Sequence, residues 1–127
     1  MVDFGFGFRY GENPTMAIHE HNPLPPSTLH VLLALASTDL HGYGILLEIS
    51  RISSGEYRLG PGTLYDNLKK LLSLGWVEDY EGEAGEEQKR MYHLTDAGRF
   101  VLAADIQKLK RVVRVASKRL SPQEGRA

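Results

Sequence analysis

A mainly α fold with one small β-hairpin is what this sequence predicts, and three stretches carry the prediction. Gly60 to Leu72 opens as a turn and continues as a short two-faced helix. Trp76 to Leu94 reads as two short strands around a tip rich in glycine and glutamate. Leu102, Ile106, Leu109, Val113, Ala116 and Leu120 recur in alternating steps of four and three, the 3.5-residue period of a helix that pairs with another helix.

Composition sets the outer bounds. A chain of 127 residues has room for one domain with a core only moderately large for its surface, so a partner subunit is expected to supply part of its stability. Hydrophobic residues at 42% and charged residues at 24% are ordinary for a soluble globular protein and argue against wholesale disorder. No apolar run approaches the roughly eighteen residues of a membrane helix, and the N-terminus lacks a basic region followed by an apolar core. A cytoplasmic protein with no membrane partner is therefore expected. The absence of cysteine excludes disulfides, thiolate nucleophiles and cysteine-ligated metals, and it fits a reducing compartment. A net charge of −1 means that any nucleic acid must be met by local basic patches, not by the overall field.

Residues 1–25 combine the alternation Phe4-Gly5-Phe6-Gly7-Phe8 with prolines and no sustained period, and they read as a flexible N-terminal arm not needed for folding. His19-Glu20-His21 offers two metal-binding residue types, too few to define a site, and no metal or other cofactor is expected. Pro25-Pro26-Ser27 starts a first helix, with Leu29, Leu32, Leu33 and Ala36 on one face, that runs to about Ser37. A second helix begins near His41, turns Ile45, Ile49 and Ile52 inward and ends around Ser53-Ser54-Gly55, where glycine suits the left-handed position past a helix end. Gly42 and Gly44 weaken its first turn, which implies that another backbone comes close there.

The third helix has Gly60 at its N-cap and Pro61 at its first position, where a missing N–H costs nothing. At about 100° per residue Leu64, Leu68, Leu71 and Leu72 form its underside. Gly62, Thr63, Asp66, Lys69, Lys70 and Ser73 lie opposite, with Tyr65 on the flank and Asn67 nearer the buried edge. Such a helix either lies in a groove of DNA or is simply an amphipathic surface helix. Trp76 to Glu81 and Lys89 to Leu94 form the hairpin. Glu78, Asp79, Glu81, Glu83, Glu86 and Glu87 crowd it, so that only Lys89 and Arg90 can serve phosphates there. Trp76, the one tryptophan, belongs to the core. Thr95-Asp96 caps a last helix reaching about Leu120, and 121–127 form a disordered tail. Its basic flank of Lys108, Lys110, Arg111, Arg114, Lys118 and Arg119 needs solvent on both sides of the apolar stripe, so the stripe is expected to join two copies of the chain. Three short helices followed by a hairpin is the winged helix-turn-helix order; it is assigned to 26–95, and the dimerisation helix to 96–120.

Four blocks in this order resemble the PadR-like transcriptional regulators. They are Leu40-His41-Gly42-Tyr43-Gly44-Ile45, Leu59-Gly60-Pro61-Gly62-Thr63-Leu64-Tyr65, Leu71-Leu72 with Gly75-Trp76-Val77-Glu78, and Lys89-Arg90-Met91-Tyr92-His93-Leu94-Thr95-Asp96-Ala97-Gly98. The resemblance covers about Leu29 to Leu120. It implies a dimeric winged-helix repressor of the smaller subfamily, whose C-terminal part is a single dimerisation helix. It also implies that Pro61, Gly62, Thr63 and Tyr65 begin the recognition helix, that Lys69 and Lys70 are its basic end, and that His41 and Tyr43 face the phosphate backbone. Gly60 departs from the Ser or Thr common in the family, and the aromatic arm before Leu24 matches nothing in it. A small hydrophobic or phenolic effector near the dimer interface is a further implication of the resemblance.

In a helix-turn-helix dimer the recognition helices sit about 34 Å apart, which makes a palindromic operator in double-stranded DNA the expected partner. A winged-helix module for protein contact, without DNA binding, is the alternative, and the acidic wing supports it. An enzyme is not expected, since no nucleophile and base, phosphate loop or ligand cluster is present.

Overall fold

The computed structural model describes residues 23–83 and 89–122. Most of the expected arm, with His19-Glu20-His21, the hairpin tip carrying Glu86 and Glu87, and the tail beyond Pro122 lie outside the described residues. Among the described residues, four helices and a three-stranded sheet follow in the order α1 (Pro26–Leu35), β1 (Leu40–His41), α2 (Gly42–Ile52), α3 (Pro61–Leu74), β2 (Val77–Glu81), β3 (Arg90–Leu94) and α4 (Asp96–Leu120).

Leucine and isoleucine at helical spacing build the core from every helix. Val31, Leu32 and Leu35 of α1, Ile45 and Ile49 of α2, and Leu64, Leu68 and Leu71 of α3 are closed off from solvent. Trp76, Val77, Tyr92 and Leu94 from the sheet and Val101 and Leu102 from α4 complete the same cluster. Each fully buried side chain of this kind stabilises by about 1.5–3 kcal/mol, and all of them hold α3 by one face only. Ile52, expected inside, is 39% exposed, because α2 ends there and the chain leaves through Ser54 and Gly55, both at positive φ.

The sheet has one strand more than the hairpin. Leu40 and His41 pair antiparallel with Tyr92 and Met91, giving the order β1-β3-β2. Two residues carry no period that a sequence can show, so this strand was not foreseen. Side chains alternate along β3, with Tyr92 and Leu94 buried and His93 exposed.

Thr95 joins three elements. Its backbone N–H donates to the Trp76 carbonyl at 3.1 Å, its hydroxyl donates to the Gly75 carbonyl at 2.7 Å, and it accepts from Gly98 N–H at 3.0 Å as the N-cap of α4. The end of α3, the start of β2 and the first turn of α4 therefore share one polar node. Further along, Arg99 donates to the Ala36 carbonyl at 3.1 Å and Asp105 accepts from Leu24 N–H at 3.2 Å. Both ends of α1 are thus tied to the first half of α4, and the two helices run antiparallel.

Candidate nucleic-acid interface

Helix α3 is set up by its ends and presented by its underside. Gly60 is extended at the N-cap, Pro61 opens the helix, and Gly75 at φ 77° closes it with its N–H turned back to Leu71 and Leu72. With Leu64, Leu68 and Leu71 buried, Pro61, Gly62, Thr63, Tyr65, Asp66, Lys69, Lys70 and Ser73 are left facing solvent. Asn67 fixes the rotation about the axis. It accepts from the Thr28 hydroxyl at 2.8 Å and donates to Ser27 Oγ at 3.2 Å, so the first turn of α1 is stitched to the middle of α3. The loop before α3 is held as well, by Tyr57 stacked on His30 with ring centroids 4.1 Å apart.

Beside that face lies a shallow pocket of about 260 Å³ lined by His41, Gly42, Tyr43, Tyr65, Lys89, Arg90 and Tyr92. His41 caps α2 by accepting from Gly44 N–H through Nδ1 at 3.0 Å, which leaves the ring proton on Nε2 as a donor. Tyr43 and Tyr65 are more than half exposed. Tyr65 lies so close over Gly42 that any Cβ there would meet its hydroxyl. The close approach at Gly42 is therefore a side chain, not the backbone that the glycine pair implies. A Cβ on Gly44 would meet only ordinary contacts, at 3.5 Å or more. Tyr92 forms part of the lining, and burial, followed by the neighbouring Tyr65 and Asp79, pushes its hydroxyl above the usual phenol range.

The pocket thus gathers five of the ten residues singled out for DNA: His41, Tyr43, Tyr65, Lys89 and Arg90. Pro61, Gly62, Thr63, Lys69 and Lys70 share the outward surface of α3, where Lys69 lies one turn beyond Tyr65. Arg90 is already engaged by its own hairpin, 3.9 Å from Asp79 and 3.8 Å from Glu81. Exposed pairs this long are worth about 1 kcal/mol at most, so they temper the charge without locking it away.

A second cluster positions the wing. Tyr80 Oη donates to Asp39 Oδ2 at 2.6 Å, and His93 Nδ1 lies 2.8 Å from Asp39 Oδ1. The hydrogen bond from Tyr80 and then that from His93 hold the Asp39 carboxyl below its usual range, and Asp39 in turn pushes the Tyr80 hydroxyl up. One carboxylate before β1 thereby grips β2 and β3 together. Sequence reading missed it, because Asp39, Tyr80 and His93 meet only through the strand register.

On α4 the heptad stripe divides. Leu102 is 6% exposed and Ile106, half-buried, packs on the same core, so these two serve the core of the chain. A heptad spacing shows that a face is covered, not which element covers it. Leu109, Val113 and Leu120 are exposed, and Ala116 is half-buried. Val112 and Val115, absent from the stripe, are exposed beside it. Among the described residues no three His, Asp or Glu side chains gather to hold a metal, and no helix is long and apolar enough to cross a membrane.

Three helices, a tied wing and a long last helix define a winged helix-turn-helix protein. Residues 31–104 match the Transcriptional regulator PadR-like family, and the chain belongs to that family. It is 34% identical over 86 residues to the transcriptional regulator Rv3488 of Mycobacterium tuberculosis, spanning 68% of this chain and 78% of that one. A PadR family regulator from Clostridium difficile shares the fold, with a TM-score of 0.67 and 22% identity over 76% of this chain and 100% of the other. PadR of Bacillus subtilis, solved in complex with operator DNA, superposes with a TM-score of 0.57 and 26% identity, over 63% of this chain and 47% of its own. The chain is a transcriptional regulator and not an enzyme.

Proposed function

We propose that the protein acts in the cytoplasm as a homodimeric repressor that reads a palindromic operator with α3 and releases it when a small hydrophobic or phenolic effector binds near the dimer interface. The observation that carries this reading is the outward surface of α3. It is anchored from below by three leucines and in rotation by Asn67, and it is continuous with a pocket of tyrosines, a histidine donor and two cations. Gly62 and Thr63, at the start of α3, are placed to meet base edges. Lys69, Lys70, His41, Tyr43, Lys89 and Arg90 are placed to meet phosphates, which fix register and carry little sequence information. Leu109, Val113, Ala116 and Leu120 supply the seam between copies, in keeping with the smaller PadR-like subfamily.

A salt titration on a selected operator and a scrambled duplex tests the reading. Lys70→Ala should weaken both duplexes alike and lower the slope of log affinity against log salt by about one. Thr63→Ala should leave the slope and lose about 1–3 kcal/mol of discrimination at one or two base pairs. The acidic company of Arg90 favours a protein-contact module as the second reading. Absence of binding to either duplex at low salt, with and without candidate effectors, selects that module instead.

A further inference from the structure

The second half of α4 carries two apolar strips, and the stripe from Leu109 to Leu120 accounts for one. The other consists of Val112, Val115 and the near side of Ala116, rimmed by Lys108, Arg111 and Arg119, and it borders an open cavity of about 710 Å³. Val112 lies roughly 60–100° and Val115 roughly 120–160° round the helix from Leu109 and Val113, so a partner helix seated on the seam flanks Val112 and leaves Val115 bare. One helix is convex and makes a strip, not a groove; closing it takes a second segment.

We propose that this strip is the seat of the chain's own N-terminal residues, with the aromatics Phe4, Phe6 and Phe8 laid against Val112 and Val115 of the same protomer. Three observations point to that occupant. The first is Asp105, 1% exposed, whose carboxylate holds Leu24 N–H at 3.2 Å and so pins the chain to α4 just where it leaves the arm. Val112 and Arg119 follow Asp105 at seven and fourteen residues, about two and four turns, hence on almost the same line of the helix. The arm is thus delivered to the edge of this strip, beside Val112, where the strip borders the seam at Ala116. Reach is the second. Asp105 to Leu120 spans about 22 Å of helix, and the fourteen residues between Tyr10 and Leu24 cover about 21 Å even if helical and about 46 Å if extended. The third is charge. Residues 106–120 hold six Lys or Arg and no acid, whereas residues 1–22 hold Asp3, Glu12 and Glu20 against Arg9 alone. The reading departs from the dispensable arm expected from sequence, because the tie at Asp105 has no signature in the arm itself.

The absence of cysteine makes the test direct, since one introduced thiol reports its own site in the full chain. Val112→Cys should react with iodoacetamide at least about tenfold faster, given a covered site made open, when Phe4, Phe6 and Phe8 are changed to Ser than in the otherwise unchanged chain. Lys110→Cys, on the far side of α4, should react equally in both. Equal rates at Val112→Cys overturn the proposal, and so does protection that is lost on dilution but indifferent to the serines, which would mark a second copy as the occupant. Should the serine variant fold poorly, Phe8→Cys with Val115→Cys keeps the question open to measurement. Mild oxidation should give an intrachain disulfide faster than Phe8→Cys with Ser73→Cys does. A disulfide-linked dimer, or no preference, overturns the own-chain assignment. Neither readout uses DNA, so failure here is separate from failure of the repressor reading.

Discussion

Gly98→Ala sets two magnitudes of opposite sign against each other. In an exposed helix the change stabilises by about 0.5–1 kcal/mol, since glycine loses more backbone freedom on folding than alanine. Gly98, however, is buried in the first turn of α4, where an added Cβ would collide with the Trp76 carbonyl oxygen and stand 2.7 Å from Leu94 Cδ1. That oxygen cannot swing aside as a side chain can. It belongs to the backbone and accepts from Thr95 N–H. Relief means shifting α4 away from β2, at about 1–3 kcal/mol for overpacking and about 1 kcal/mol for a strained or lost hydrogen bond. The net expectation is a destabilisation of about 1–3 kcal/mol, or a melting point lower by about 5–20 °C for a domain of this size. Urea unfolding of both proteins at one fixed concentration, followed by Trp76 fluorescence, measures it with any contribution from subunit association held constant. A midpoint equal to or above that of the unchanged protein would show that α4 does not press on β2 at this point, and the shared node at Thr95 would have to be redrawn.

Gly42→Ala meets the far end of a flexible side chain, so it should cost less than about 1 kcal/mol in stability while swinging Tyr65 off its seat and weakening operator binding several-fold; normal binding in a gel-shift titration would remove Tyr65 from the interface. Asp39 titrates below the usual carboxylate range in the folded chain, so its contribution is complete above the unfolded value and fades as pH falls through the folded one; the stability gap between the unchanged protein and Asp39→Asn should be flat near neutrality and narrow below about pH 4, and a gap that is constant down to about pH 2 would exclude the Tyr80 and His93 contacts as its origin. Leu109→Glu with Val113→Glu should place like charges in the proposed seam and sediment as monomer, whereas a dimer at the same concentration would put the interface elsewhere.

What the sequence disclosed tracks the range over which each signal acts. Caps and periods are local, so Gly60-Pro61 and Thr95 fell at the helix starts expected of them and the leucines of α3 where a helical wheel puts them. The features that escaped are those made by register and packing between distant residues. Asp39 meets Tyr80 and His93 across 41 and 54 residues, and Asp105 meets Leu24 across 81. Gly42 is an instructive middle case. Its cost to a helix was visible and implied a close neighbour, but the neighbour, Tyr65, comes from the helix facing it and could be named only once the two were packed. The heptad stripe shows the same limit from the other side, since Leu102 and Leu109 are equivalent by spacing and differ only in what lies over them.

That division of α4 has a consequence for how the proposed dimer would work. Gly98, Val101, Leu102 and Asp105 are buried in the domain, so the first three turns of α4 move with the core. Thr95 binds the carbonyl of Gly75, the residue that ends α3, and caps α4 with the same hydroxyl. The end of α3 and the start of α4, the recognition and dimer helices of the proposed reading, are therefore joined directly through one side chain as well as through the hairpin between them. Close-packed elements joined this way respond to strain as rigid bodies. A change in crossing at Leu109 to Leu120 must then appear as a change in the spacing of the two α3 helices, and that spacing has to match one turn of DNA. In the proposed dimer, whatever binds along the second half of α4 would therefore act on operator affinity without touching α3, at a strength set by how differently it fits the two crossings.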